Sequence, residues 1–321
     1  MEKEVIILFT KDRLETLKTT IESLCETPYK KFVIDDSNSS TNQTGVSELC
    51  RRYKNFHYIG KLEFQSFVTL HNISLPKYSF LLRELGDINW NLGYARNFAL
   101  LFSKSASFDK VLFSDDDIIV TDNKLIQKLF HSLDTFKFAG ANIAGLIDDS
   151  LLGYIATEMD IENERTLSGG FMVYKPKIIN HFFLNNYNED WIWILLQMKN
   201  ENLLQIGDVF QEIKDPFDNY KSKVIFQEFG ELVLDGVFNC YNGGSFDNLT
   251  NISFWDQIVK DRTEYLNMLM EKAHLNSKGK SIEIINWVKL NSEIFHAEIF
   301  QNLFTQYAKD RLLFLKLYYS L

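Results

Sequence analysis

Apolar residues fall in short runs through the earlier part of the chain and in a helical stripe toward its end. Glu4 to Thr10 holds a five-residue apolar run, Val5 to Phe9, and reads as a strand covered on both faces. Lys11-Asp12-Arg13 turns into a helix over Leu14 to Cys25, with Leu14, Leu17, Ile21 and Leu24 at helical spacing. Pro28 closes that unit, and Lys31 to Asp36 forms a second strand. Strand, helix, strand with short connections is a βαβ unit. A helix over Thr44 to Tyr53 and a strand over Phe56 to Ile59 follow, while residues 61–88 show no clean period. Further on the pattern predicts a helix at Ala95 to Lys104 and a strand at Val111 to Phe113. Asp122 is placed to cap a helix over Lys124 to Leu133.

Strand-like runs return at Phe138 to Ile147, Gly170 to Tyr174, Leu204 to Phe210 and Val224 to Phe226. Between them, Trp191 to Leu196 is apolar all round and predicts a buried helix. From about Phe254 the chain reads as helical, and Val288, Phe295, Ile299, Leu303 and Tyr307 carry an i, i+3/i+4 stripe. The pattern divides the chain into an α/β part, residues 1–245, and a helical extension, residues 246–321. The extension is open to three roles: packing on the core, forming a homodimer interface, or shaping an acceptor site.

Composition narrows this picture. The net charge of −9 speaks against broad nucleic-acid binding, which needs a basic footprint. Three widely spaced cysteines, Cys25, Cys50 and Cys240, give no metal-ligand pattern and point to free thiols. The acidic start, Met1-Glu-Lys-Glu4, argues against a signal peptide, and no run is long enough to cross a bilayer. The expected location is the cytoplasm.

The candidate chemistry centres on Asp115, Asp116 and Asp117, directly after the apolar run Val111 to Phe113. In an extended segment residues two apart share a side, so Asp115 and Asp117 converge while Asp116 faces elsewhere. Converging carboxylates suit a hard divalent cation with oxygen ligands; the plain alternative is a solvated acidic loop.

Six segments then carry a resemblance, in order: Val5-Ile-Ile-Leu-Phe-Thr10, Phe32-Val-Ile-Asp-Asp-Ser37, Asn91-Leu-Gly-Tyr-Ala-Arg-Asn97, Val111-Leu-Phe-Ser-Asp-Asp-Asp117, Ser168-Gly-Gly170 and Asn188-Glu-Asp-Trp191. Over residues 4 to 215 the chain resembles nucleotide-sugar-dependent glycosyltransferases of the GT-A fold, most similar to the family 2 type. That fold is Rossmann-like, a mostly parallel central sheet flanked by helices, here with a helical C-terminal extension.

The resemblance implies a role for each segment. Thr10, Arg13, Asp35 and Asp36 line the nucleotide. Asn91, Gly93 and Arg96 lie beneath the donor, where Arg96 neutralises diphosphate or orients the aspartates. Asp115 and Asp117 hold the metal, Mg2+ or Mn2+, with Asp115 and Asp116 also near the donor sugar or ribose. Gly169 and Gly170 let backbone approach the sugar. Asp190 is the general base and Glu189 contacts the acceptor or sugar; as residue types alone, Asn188-Glu-Asp190 is equally a helix start. The third metal ligand departs from the family, because the stretch from Gly207 offers Gln211 or Glu212 and no His.

The expected activity is metal-dependent transfer of a hexose, with a UDP-sugar favoured as donor, to a hydroxyl or thiol on a glycan, lipid carrier or peptide, with inversion. The alternatives are an aspartate-nucleophile phosphatase and a glycosyltransferase-like module that binds a nucleotide or partner without turnover.

Overall fold

The computed structural model describes residues 3–81, 92–144, 150–161, 169–198, 204–211, 217 and 220–321. The chain opens β1 (Glu4–Thr10), α1 (Leu14–Leu24), β2 (Lys30–Asp35), α2 (Ser40–Arg52) and β3 (Phe56–Ile59). These agree with the sequence pattern to within a residue or a turn at their ends. Next come α3 (Lys61–Leu70), α4 (Leu92–Ser105), β4 (Lys110–Asp115), β5 (Ile118–Ile119), α5 (Lys124–Ser132), β6 (Phe138–Ala144) and α6 (Leu151–Thr157). The chain continues through β7 (Phe171–Tyr174), α7 (Glu189–Met198), β8 (Leu204–Gln211), α8 (Tyr220–Tyr241), α9 (Ile252–Leu275), α10 (Gly279–Ser292) and α11 (Ala297–Tyr318).

The eight strands among the described residues form one sheet in the order β3-β2-β1-β4-β7-β6-β8-β5. The β3, β2, β1 and β4 neighbours run parallel, as do β6 and β8, whereas β7 is antiparallel to both its neighbours and β5 to β8. From β1 the chain steps outward to β2 and β3, then returns to the other side of β1 with β4. The carboxyl ends of β1, β2 and β4 therefore open a crevice at a switch point in strand order, where open α/β sheets bind ligands. Thr10 stands opposite Asp35, and Phe9 opposite Asp115, at that edge.

Period-two alternation sends the strand side chains into two cores. Ile6, Leu8 and Leu112 meet Leu17, Ile21 and Ile126 on one face. Ile7, Phe9, Val111 and Phe113 share the other with Phe98 of α4, Trp193 of α7 and Phe300 of α11. The final helix is thus continuous with the sheet's own core. Among the described residues no helix is long and apolar enough to cross a membrane.

Several expectations change. Val224 to Phe226 is not a strand but lies inside α8. A three-residue apolar run fits either period, and only the longer window, with Val224, Leu232, Val233, Val237 and Cys240 buried, shows the helix. The helical part therefore begins at Tyr220 rather than near Phe254. Ile299 is 41% exposed, and the buried stripe of α11 is Phe300, Phe304, Tyr307 and Phe314. The break between Ser292 and Ala297 resets the helical phase, so of the expected stripe Val288, Phe295 and Tyr307 are buried, Leu303 is partly buried and Ile299 lies on the open side. The irregular stretch from 61 contains α3, whose start is capped by Glu63 accepting from the Gly60 N–H at 2.9 Å. At α5 the cap position is Asn123, but Asp122 supplies the cap bond, accepting from the Lys124 N–H at 2.9 Å.

Candidate active site

Arg96 organises the site. It stands on α4 and its side chain is 1% exposed. Its Nη1 donates to Glu189 Oε1 at 2.8 Å and its Nη2 to Asp115 Oδ1 at 2.9 Å. Asp190 Oδ2 lies 4.0 Å from the same guanidinium. The fork is wedged between the Phe9 and Phe183 rings, at 5.8 and 5.7 Å. Burial alone would lower the Arg96 pKa, but Asp115, Glu189 and Asp190 outweigh it and keep the charge fixed. One residue thus ties the end of β4 to the start of α7.

The three aspartates divide differently from the expectation. The alternation stops at Asp115, where β4 ends, and the chain turns before β5. Asp116 consequently does not face away: it is 2% exposed and accepts from Thr10 Oγ1 at 2.7 Å. Arg13 bridges the other two contacts, Nη1 to Asp116 Oδ1 at 2.8 Å and Nη2 to Asp117 Oδ2 at 2.6 Å. Gln211, at the end of β8, donates to Asp117 Oδ1 at 3.3 Å. Burial pushes Asp115 above the usual carboxylate range against the pull of Arg96, and pushes Asp116 up to about 7 against Arg13. Glu189, buried beside Asp190, is raised to about 8 despite Arg96.

Asp190 is held by backbone. Its Oδ2 accepts from the Gly169 N–H at 2.7 Å, and a Cβ on residue 169 would come within 2.3 Å of the Asp190 Cβ. Only glycine allows that approach. Gly170 accepts from the Asp115 N–H at 2.9 Å, so both glycines sit against the acids. Gly93 is similarly confined, with Leu184 O 2.4 Å from where its Cβ would be.

At the β2 end, Asp35 Oδ1 accepts from the Ser37 N–H at 2.9 Å and Oδ2 from Tyr58 at 3.2 Å. Asp36 lies 3.8 Å from Lys11. Asp12, not singled out by the pattern, has φ 54° and accepts from the Asn38 N–H and Asn42, which shapes the loop over Asp35. An aspartate inside the Lys11-Asp-Arg13 turn was the available signal, since Asp tolerates left-handed backbone. Asn91, Ser168 and Glu212 lie outside the described residues.

Around the crevice five carboxylates, Asp115, Asp116, Asp117, Glu189 and Asp190, meet two guanidiniums, Arg13 and Arg96. Five carboxylates against two guanidiniums leave a surplus of oxygen donors, chemistry that suits a hard divalent cation, with both Asp117 oxygens accepting from Arg13 and Gln211. Among the described residues no group of three His, Cys, Asp or Glu side chains is arranged to hold a metal, so water or ligand oxygens would make up the remaining coordination.

No protein-family model matches the chain, and no curated protein matches it. Solved structures do. A mannosyltransferase from Pyrobaculum calidifontis, in complex with GDP-Man and Mn2+, matches over 93% of this chain and 86% of its own at 11% identity and a TM-score of 0.50. Glucosyl-3-phosphoglycerate synthase from Mycobacterium tuberculosis, in complex with Mn2+, UDP and phosphoglyceric acid, matches over 75% and 79% at 14% identity and a TM-score of 0.48. With its mixed eight-stranded sheet, parallel at the switch point, and its helical C-terminal region, the chain has the GT-A fold of nucleotide-sugar transferases.

Proposed function

We propose that the protein is a metal-dependent glycosyltransferase of the family 2 type. In this reading it moves a hexose from a nucleotide diphosphate sugar, a UDP-sugar in the first instance, to an acceptor hydroxyl or thiol on a glycan, lipid carrier or peptide. The observation that carries the reading is the single buried guanidinium of Arg96 joining Asp115 to Glu189 and Asp190 at the carboxyl end of β4. It puts the candidate donor-binding acids and the candidate base on one rigid fixture.

Asp115 and Asp117 would hold Mn2+ or Mg2+, with Gln211 beside them. The cation, when bound, supplies Lewis-acid neutralisation of charge on the leaving diphosphate. Thr10, Arg13, Asp35 and Asp36 line the nucleotide pocket, while Gly93, Gly169 and Gly170 keep backbone close to the sugar. Asp190 takes the acceptor proton as general base, giving inversion. Glu189, expected from the resemblance to contact the acceptor or sugar, is only 3% exposed, and in this reading it acts from beneath by holding Arg96.

A second reading, a nucleotide-binding module without turnover, has one observation in its favour: Arg13 already pairs Asp116 and Asp117. Thermal unfolding with UDP, GDP, CMP and dTDP-glucose, with and without Mn2+, followed by turnover of the donor that binds, separates the two. A metal-dependent rise in Tm for one nucleotide, with turnover lost in Asp117→Asn, is the outcome expected of the enzyme. Binding that neither needs metal nor leads to turnover favours the module.

A further inference from the structure

The turn that launches α7 is held from outside the sheet. Asn188 has φ 62°, a left-handed conformation that asparagine adopts more readily than most non-glycine residues and that shapes the entry to the helix. Its carbonyl accepts from the Ile192 N–H at 3.0 Å, so its conformation sets where Glu189 and Asp190 point. Three contacts from the middle of α8 reach this turn. Asn188 Nδ2 donates to Glu231 Oε1 at 3.1 Å. Gly230 lies so near the Tyr187 carbonyl that a Cβ would come within 2.4 Å of its oxygen. The Tyr187 ring meets the Phe226 ring edge-on at 6.4 Å. Behind them, Glu231 Oε2 lies 3.9 Å from Arg262 Nη1.

We infer that Asn188 and Glu231 are positioning residues, through which α8 clamps the α7 entry turn and fixes Asp190 against Gly169 and Arg96. The inference rests on the reading of Asp190 as the base. A carboxylate that must take a proton in the transition state tolerates little displacement, and a small shift imposed from a distance lowers turnover steeply. The helices after β8 are then part of the catalytic fixture rather than an appendage.

The test compares Glu231→Ala with Glu231→Gln in the full chain. Donor KM and kcat are measured for each, together with hydrogen–deuterium exchange of the segment 187–193. The alanine variant is expected to lose kcat by about tenfold to a hundredfold at unchanged donor KM. It should also exchange faster at 187–193 while β1 and β4 keep their protection. Glutamine, whose carbonyl oxygen still accepts from Asn188, should restore most of both. Unchanged exchange at 187–193 in Glu231→Ala would overturn the clamp whether or not the wild type transfers sugar. Faster exchange across the whole chain in both variants, with equal loss of kcat, would overturn it as well, showing a general role in folding. Absence of turnover in the wild type would count against the glycosyltransferase reading instead, and the exchange data would still decide the clamp.

Discussion

Among the described residues two arginines, Arg96 and Arg262, are buried among three carboxylates each, and they differ in where those acids lie. Arg96 draws its acids from separate elements: Asp115 ends β4, and Glu189 and Asp190 start α7. Arg262, on α9, draws all of its acids from α8, where Glu228, Glu231 and Asp235 share one face. Its Nε and Nη2 donate to the two Glu228 oxygens, at 2.9 Å each. Burial would lower the pKa of either arginine, and in both the acids reverse the effect. The Arg262 cluster is a staple between two helices. At Arg96 the Asp115 and Asp190 side chains stay 25% and 17% exposed at a strand-end crevice, with oxygen left to offer a ligand. Glu231 and Asp235 are as open, at 18% and 41%, so exposure does not separate the two clusters; their place does, since open α/β sheets bind ligands at the switch point where the Arg96 acids lie.

The harshest way to break the comparison is to remove each cation. Arg96→Met and Arg262→Met both leave buried acids without their partner, and each should cost about 3–5 kcal/mol in denaturant unfolding. Only Arg96→Met should also abolish nucleotide-sugar turnover below its melting range. Equal loss of turnover in both would mean that the clusters do not differ in kind.

Removing both partners sharpens the point. Buried ion pairs replaced by apolar residues of similar size often leave stability nearly unchanged. Arg96→Met with Glu189→Met should then fold yet lose kcat/KM by about a thousandfold, the scale seen when a preorganised charge contact is lost. Arg262→Met with Glu228→Met should fold and keep turnover within about threefold, since Glu231 still reaches Asn188. Circular dichroism with steady-state kinetics measures both.

Much of the sheet was legible because its evidence is local. Five apolar residues in a row at Val5 to Phe9 and the acids closing Lys31 to Asp36 name parallel strands and their ends without outside help. Asp115 stood out on the same footing, whereas the segments around Arg96 and Asp190 were picked out through the resemblance to glycosyltransferases. Their joining was not legible, because Arg96 meets Glu189 across 93 residues and no periodicity encodes that distance. The orientation of Asp116 was missed because alternation was carried past Asp115, where the strand stops. Arg262 gave no signal at all: a lone basic residue on a polar helix face reads as solvated. Its partners at 228, 231 and 235 recur at helical spacing, but only once the helix is known to begin at Tyr220.

A subtler difference lies in protonation. Glu189 is raised to about 8 by burial and its acidic neighbours Asp190 and Asp115, against Arg96, from an ordinary value of 4.5. The fold therefore holds the proton that the unfolded chain releases. Its contribution to stability is whole below about 4.5 and declines as pH climbs to about 8. Glu189→Gln should remove that decline, so its Tm should gain on the wild type across this window and run parallel above it. Glu228→Gln, which weakens a bidentate pair, should lower Tm at neutral pH instead. A Glu189→Gln profile parallel to the wild type throughout would show that Arg96 keeps this acid ionised.

The smallest effect tests the exposed rim of each cluster. Asp235 lies 3.4 Å from Arg262 with its side chain 41% exposed, and Asp115 lies 2.9 Å from Arg96 at 25%. Solvent screens Asp235, and Arg262 keeps Glu228, so Asp235→Asn should change stability by less than about 1 kcal/mol and leave turnover alone. Asp115→Asn keeps the size of the side chain, and Arg96 retains Glu189, so its stability should also change by only about 1 kcal/mol. Its turnover should nevertheless fall by about a hundredfold or more, because the exposed oxygen at that position is the one a donor or cation would use. The pair isolates function from fold: similar places on similar arginines, nearly equal melting curves, and transfer lost in one alone. Unaltered turnover in Asp115→Asn would reduce the Arg96 cluster to a second staple.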